Sequence, residues 1–139
     1  MYHISFDGYW LEKNKKGVPS KSGVYIVYRC KYDIDTNTVN LQEIIYIGQS
    51  TDINERIVNH DHIELFKDTL LDGETLCYAC AQIDETDLDV VEGALIIAQK
   101  PRLNMVRNTS IDYSDKRFVV SGRCSLLKYT DFTITFKAE

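Results

Sequence analysis

Five polar residues in this chain have the types and spacing that phosphoryl chemistry needs. Tyr25 and Tyr46 each stand in a short tripeptide with glycine, GVY and YIG. Arg56 and His60 are four residues apart, so on a helix they share one face. That face also carries isoleucines, and polar groups there are costly unless they have partners or a role. The fifth residue, Glu92, lies at the edge of an apolar helical stripe and poses the same question.

Hydrolysis of a phosphodiester needs an activated water, stabilisation of the charge on the phosphoryl oxygens and help for the leaving alkoxide. Arg56 is permanently cationic, and its planar fork fits phosphate oxygens. A lone Glu92 can hold a divalent cation, because Mg²⁺ takes one or two carboxylates and keeps several waters. A free phenol has a pKa of about 10, so a tyrosine becomes a competent base only beside a neighbouring cation or a metal-bound hydroxide.

Two predicted strands position the tyrosines. Residues 23–30 (GVYIVYRC) and 43–48 (EIIYIG) are rich in β-branched and aromatic side chains, which favour strands. The linker 31–42 (KYDIDTNTVNLQ) is rich in Asp, Asn and Thr, which is typical of a hairpin connection. Tyr25 and Tyr46 are therefore expected on two adjacent antiparallel strands.

A helix is predicted directly after the second strand. Asp52 is a plausible N-cap, and Glu55 three residues later completes a capping-box pattern. Arg56 and His60 are expected on this helix. Residues 62–71 either extend the helical pattern or form a second short helix.

A third strand and a further helix follow. Residues 76–83 are small and apolar enough for a central strand, and residues 87–99 form an amphipathic helix. Glu92 lies at the edge of the apolar stripe of this helix, so its carboxylate should be paired, protonated or bound to a metal. Pro101 ends the helix, and Asn104 comes one short turn later.

The order of these residues resembles the GIY-YIG nuclease superfamily, which is named for the two tripeptides. Val24 stands where the family usually has isoleucine. The likeness becomes specific because Arg56, Glu92 (in VEGALI) and Asn104 (in KPRLN) follow in the family's order. It covers residues 23–104.

The resemblance implies an α+β fold with a small, mainly antiparallel three-stranded central sheet flanked by helices. Residues 1–22 would then be an N-terminal extension whose aromatic side chains pack on the domain. Residues 105–139 would be a C-terminal β extension with strands at 117–121 and 131–137, since the second alternates apolar and polar side chains. These strands either extend the family sheet or form an added hairpin. A single domain is expected for the whole chain.

The resemblance also implies roles for the site residues. Tyr25 would activate the water, and His60 would accept the tyrosine proton, as the spacing in restriction-type members of the family suggests. Tyr46 would orient water or phosphate. Arg56 would stabilise the charge on the phosphoryl oxygens.

The remaining implied roles concern the metal and the scaffold. Glu92 would hold one Mg²⁺ or Mn²⁺, and Asn104 would anchor the second motif or the helix end through side-chain hydrogen bonds. The resulting prediction is a metal-dependent endonuclease that acts on DNA. Neither the DNA sequence cut nor the oligomeric state can be read from these residues. A dimer is one way to break both strands.

The composition restricts how DNA could be held. The formal net charge is −5, whereas proteins that bind nucleic acid through phosphates normally carry excess Lys and Arg. Any DNA contact must therefore be local or helped by a bound cation. The chain has no apolar run long enough for a bilayer and no secretory signal, which favours the cytoplasm and no membrane partner.

Two alternative functions remain open from the sequence. A non-catalytic module that binds nucleic acid or protein would suit the negative charge better. A zinc-stabilised domain would use Cys77 and Cys80, but no second Cys or His pair follows at a suitable distance. Without a secretory signal, reduced and buried thiols are the expectation for all four cysteines.

Overall fold

A computed structural model describes residues 1–104 and 115–135. The strands are β1 (Tyr2–Leu11), β2 (Gly23–Asp33), β3 (Thr38–Ser50), β4 (Thr75–Gln82), β5 (Asp115–Gly122) and β6 (Asp131–Thr135). The α-helices are α1 (Ile53–Val58), α2 (Ile63–Lys67) and α3 (Leu88–Gln99), and 3-10 helices span Glu12–Gly17 and Glu85–Asp87. No helix in these two ranges is long and apolar enough to span a bilayer.

The six strands form one curled, mixed sheet in the order β3-β2-β4-β1-β5-β6. β1 runs parallel to β5, and the other neighbouring pairs are antiparallel. The fold is α+β as predicted, but the prediction of a small three-stranded central sheet is wrong. β3, β2 and β4 do lie side by side. They form only half of a sheet that β1, β5 and β6 continue.

The N-terminal segment is an inner strand of this sheet and not an extension outside it. β1 pairs with β4 through its second half and with β5 through its first half. Ile4 and Phe6 are buried, whereas His3 and Ser5 beside them are exposed. This alternation is the period-2 pattern of a strand. The sequence carries that signal, whereas the expectation was an extension whose aromatic side chains pack on the domain.

The C-terminal strands also belong to the same sheet. β5 and β6 pair with each other from Asp115↔Thr135 to Val119↔Asp131. They extend the sheet at its β1 edge, which was one of the two predicted possibilities. The end of the second predicted strand, residues 136–137, lies outside the described residues, as does the segment 105–114.

β2 and β3 form the predicted hairpin, but the connection is much shorter than residues 31–42. Pairing runs from Gly23↔Ser50 to Asp33↔Thr38, with two irregularities in register. Tyr32 and Val39 pack against the hydrophobic core. Their burial stabilises strand pairing in a stretch whose polar composition resembles a loop.

The two faces of the sheet are covered by different helices. On β2, Val24, Ile26 and Tyr28 enter the core beneath α3. The alternate residues Tyr25 and Val27 enter a second core together with side chains of α1 and α2. Successive strand residues point to opposite faces. The candidate catalytic tyrosine of β2 therefore faces the two short helices.

Helix α1 begins as the sequence predicts and ends earlier. The Asp52 carboxylate accepts a hydrogen bond from the Glu55 amide at 3.2 Å, so the N-cap is confirmed. The helix ends at Val58. The prediction that Arg56 and His60 share a helix face is therefore wrong. His60 lies in the turn before α2, where its ring is buried.

All four cysteines are free and buried. Cys77 belongs to the core beneath α3, and Cys80 belongs to the core beneath α1 and α2. These two thiols point to opposite faces of β4, so they cannot bind one metal ion together. The zinc alternative therefore finds no site at this pair.

Candidate active site

Tyr25 is the centre of a polar cluster on the face of α1 and α2. Its side chain is 1% exposed. Its hydroxyl lies directly over Gly48 of the neighbouring strand, where a Cβ atom would overlap the phenol oxygen. Glycine is therefore required at position 48 for steric reasons, because any side chain would displace the tyrosine. The two tripeptides of the sequence thus meet at one contact.

The Tyr25 hydroxyl and the His60 ring form a short hydrogen bond. Tyr25 Oη and His60 Nε2 are 2.6 Å apart and buried. The other ring nitrogen, Nδ1, accepts the backbone N–H of His62 at 3.0 Å. An amide N–H can only donate, so a neutral ring has its proton on Nε2. His60 consequently donates to the tyrosine oxygen.

His60 is neutral at physiological pH. Burial, helped by the positive charge of Arg56, lowers its pKa from 6.5 to about 4. A neutral ring with its proton on Nε2 cannot take the Tyr25 proton at that nitrogen. The expected role of His60 as proton acceptor is therefore replaced by that of a donor that holds the phenol oxygen in place.

The Tyr25 phenol is also neutral in this environment. Burial and the neighbouring Tyr46 raise its pKa above the usual range, and the guanidinium of Arg56 only partly opposes that rise. Two groups nevertheless favour the anion, since both the Nε2–H of His60 and the Arg56 guanidinium face the phenol oxygen. These two groups offset only part of the cost that burial places on the anion, since the net shift of the Tyr25 pKa is upward.

Arg56 connects the cluster to solvent. Its Nη1 lies 2.9 Å from an Asp61 carboxylate oxygen, and the arginine side chain is 32% exposed. Asp61 is 66% exposed at its side chain, so this ion pair is weak and easily exchanged for another anion. Arg56 can therefore turn part of its guanidinium to a phosphate without leaving Tyr25.

Tyr46 completes the aromatic part of the cluster. Its ring centroid lies 6.3 Å from that of Tyr25, 5.6 Å from His60 and 5.1 Å from Phe66. Perpendicular and tilted ring contacts at these distances are favourable. Tyr46 therefore helps to fix the orientation of the His60 ring as well as bringing a second phenol to the site.

Asn104 fastens the second tripeptide at the edge of the sheet. Its side-chain amide donates to the Ile47 carbonyl and accepts the Ile47 N–H, both at 2.8 Å. Leu103 adds a backbone hydrogen bond to Ile45 at 3.0 Å. The chain after α3 therefore pairs with β3 as a short extra strand would, which agrees with the first of the two anchoring positions that the resemblance implies, the second motif.

Glu92 lies on the opposite face of the sheet from His60. It is buried in α3, and its carboxylate accepts a hydrogen bond from Gln49 Nε2 at 3.3 Å. Gln49 directly follows Gly48, against which the Tyr25 hydroxyl rests. Glu92 and Tyr25 thus approach one segment of the edge strand from its two sides. The geometry does not bring Glu92 into the aromatic cluster itself.

A second carboxylate stands beside Glu92. Asp89, one turn earlier on α3, accepts a hydrogen bond from the same Gln49 Nε2 at 2.6 Å. Within residues 1–104 and 115–135, no group of three or more His, Cys, Asp or Glu residues is arranged to hold a metal ion. Mg²⁺ commonly uses only one or two carboxylates, so the pair still fits that ion.

Sequence reasoning missed the contacts made by Gln49, Asp61 and Asp89. The position of Gln49 directly after the YIG tripeptide was the available signal. Asp61 follows His60 directly, and Asp89 precedes Glu92 by one helical turn. Local spacing of this kind indicates which residues are close along the chain, but not which residue of another strand or helix they contact.

No family model matches this chain, and neither the curated proteins nor the solved structures include a significant match. The likeness to GIY-YIG nucleases therefore rests on the order of residues in the sequence alone.

Proposed function

We propose that this protein is a divalent-metal-dependent endonuclease that hydrolyses phosphodiester bonds of DNA. One observation carries this proposal: the buried hydrogen bond of 2.6 Å between Tyr25 and His60, with the Arg56 guanidinium beside the same oxygen. A tyrosine that only supports packing needs one acceptor for its proton. Tyr25 instead accepts a hydrogen bond from His60 and has the cationic Arg56 nearby, and this arrangement supports a role for its anion.

In this proposal, Tyr25 acts after its phenol has lost its proton. The His60 Nε2–H and Arg56 hold the resulting negative charge, and the phenolate takes a proton from the attacking water. The Tyr25 proton passes to a solvent water on the side away from His60 and from there to bulk solvent, because the Nε2 position is already occupied by hydrogen. Tyr46 holds the His60 ring against the phenol.

Arg56 has a second task at the phosphate. Its guanidinium exchanges Asp61 for a phosphoryl oxygen and stabilises the charge that develops there. Glu92 and Asp89 would hold Mg²⁺ or Mn²⁺ on the other side of β3 from Tyr25, and that ion would supply charge neutralisation for a phosphate bound at this edge of the sheet and for its leaving 3′ oxygen. Gln49 would then orient the two carboxylates.

The first test is cleavage of supercoiled plasmid DNA with Mg²⁺ and with Mn²⁺. We expect nicked or linear product, and expect Glu92→Gln to lower the rate at least about a hundredfold while keeping the fold, since this change removes a metal ligand. Glu85→Gln is the matched control, because it removes the same charge from an exposed position before α3.

Two measurements, stabilisation by Mg²⁺ and cleavage of DNA, test metal binding separately from catalysis. Thermal unfolding with added Mg²⁺ should show stabilisation of wild type and of Glu85→Gln but not of Glu92→Gln. Wild-type protein that leaves plasmid and oligonucleotides intact with both metals would refute the nuclease. Full activity of Glu92→Gln would remove Glu92 as metal ligand.

A further inference from the structure

An open cleft lies at the far end of α3 from the candidate metal ligand. It has a volume of roughly 300 Å³ and lies between the end of α3, the edge strand β3 and the β5–β6 connection. Three cationic side chains line it: Lys100, Arg102 and Lys128. On a chain with a net charge of −5, such a local concentration of positive charge needs an explanation.

The charges of the cleft are only partly neutralised. Arg102 donates two hydrogen bonds to Glu43, at 2.7 and 3.1 Å. Arg29 binds the same carboxylate at 2.8 Å and also pairs with Glu74. Two arginines and two glutamates thus balance one another. Partial burial acts to raise the pKa of Glu43, but the two guanidiniums hold that pKa below its usual value, so Glu43 stays ionised.

Among the described residues, no carboxylate neutralises the charge of Lys100 or of Lys128. Both side chains are exposed, and neither has a carboxylate partner within residues 1–104 and 115–135. They reach the cleft from different elements: one lies just after α3, and the other lies on the β5–β6 connection. Two unpaired ammonium groups facing one cleft attract an anion with regularly spaced charges.

The wall that carries Lys128 is held rigidly. Gln99 is 4% exposed, and its side-chain oxygen accepts the backbone N–H groups of Lys128 and Tyr129 at 2.6 and 3.2 Å. Its amide nitrogen donates to the Tyr129 carbonyl at 2.6 Å. One buried side chain thus makes three hydrogen bonds to the backbone that presents Lys128. The backbone that carries Lys128 is therefore positioned before any ligand arrives.

The distance from the cleft to the candidate metal ligand suits a nucleic-acid backbone. Glu92 and Gln99 are seven residues apart on α3, so they share a face and lie about 10 Å apart along the helix. This corresponds to about three base-pair steps of B-DNA, at 3.4 Å per step.

We propose that this cleft binds the DNA backbone beside the scissile phosphate, with Lys100 and Lys128 each contacting a phosphate. This inference rests on the proposed function, because it makes the cleft part of the substrate site of the nuclease. It also resolves the conflict between the acidic net charge and a DNA substrate, since contact is confined to the edge of the sheet.

The test is fluorescence anisotropy of a labelled duplex oligonucleotide in EDTA, which prevents metal-dependent cleavage, over a series of NaCl concentrations. The variant Lys100→Gln/Lys128→Gln should lower the slope of log K against log salt by about 2, one for each phosphate contact. Its affinity at about 0.1 M NaCl should fall on the order of tenfold. The control Lys31→Gln/Lys67→Gln removes the same two charges from exposed positions outside the cleft and should bind as wild type does.

Parallel plasmid-cleavage assays separate this inference from the nuclease proposal. Wild type that binds with the expected slope difference but cuts nothing would refute the nuclease and leave the cleft as a DNA site. Wild type that cuts DNA while the cleft variant keeps its slope and affinity would refute the cleft alone. Equal losses in the two double variants would also refute it, because general charge would explain them. Wild type that neither binds nor cuts would refute both.

Discussion

Two tyrosines three residues apart on β2 are both fully buried, but one hydroxyl donates a hydrogen bond and the other accepts one. Tyr28 faces the core beneath α3 and donates its hydroxyl proton to the Ser125 carbonyl at 2.9 Å. Tyr25 faces α1 and α2, and its oxygen accepts a hydrogen bond from His60 with a guanidinium nearby. The hydroxyl proton of Tyr28 is donated to a backbone carbonyl, whereas the hydrogen bond between Tyr25 and His60 uses the tyrosine oxygen and not its proton.

Burial raises the pKa of both phenols, so burial does not distinguish them. The partners do. Only Tyr25 has a cationic group, Arg56, that opposes the rise. A hydroxyl that meets a carbonyl contributes to packing, whereas a hydroxyl oxygen that meets an imidazole N–H and a guanidinium is suited to become an anion.

The largest expected effect separates the two tyrosines directly. Tyr25→Phe should lower single-turnover DNA cleavage by about 10³-fold, the usual scale for loss of a general base. Tyr28→Phe should leave cleavage intact and lower the free energy of unfolding by about 1 kcal/mol, because the Ser125 carbonyl loses its donor. Urea denaturation supplies the second measurement. Similar activity losses in both variants would contradict the claim that only Tyr25 takes part in cleavage.

The next effect tests the charge state of His60. Its pKa is lowered from 6.5 to about 4 in the folded state, so the unfolded chain binds the extra proton first as pH falls. The stability from neutral His60 is thus present above pH 6.5 and is lost toward pH 4, by about 3 kcal/mol.

Urea denaturation of His60→Gln and His3→Gln from pH 7 to pH 4 would measure this effect. The exposed His3, on β1 and outside this cluster, is the matched control and should retain the wild-type dependence on pH. His60→Gln should lose less stability over the same range. Parallel curves for all three proteins would mean that His60 is not held neutral, and the donor role toward Tyr25 would then be withdrawn.

The smallest expected effect concerns two side-chain amides, one near Tyr25 and one near Tyr28. Asn104 holds Ile47 on the Tyr25 side, and Gln99 holds the backbone near Ser125 on the Tyr28 side. Each removal to Ala should cost about 1–3 kcal/mol in the free energy of unfolding. Only Asn104→Ala should also lower kcat, by about tenfold, because the 46–48 segment would shift against Tyr25. A kcat loss with Gln99→Ala at saturating DNA would contradict this division.

The local parts of the fold were predictable from sequence because their signals lie within a few residues. The Asp52 cap, the β2–β3 hairpin and the inner position of β4 follow from cap chemistry, β propensity and a small apolar composition. The three-stranded sheet was wrong because β1 pairs with segments far along the chain, β4 and β5. No local pattern fixes such partners.

For the candidate site, the sequence by itself determined the residue types and that Tyr25, Tyr46 and Arg56 would come from neighbouring elements. Only the tertiary structure decided that His60 leaves the helix, that its Nε2 donates to Tyr25, and that Gln49 joins Glu92 to Asp89. The reason is physical: a pKa and the location of a ring proton depend on burial and on donors from other elements. Those come together only when the chain folds.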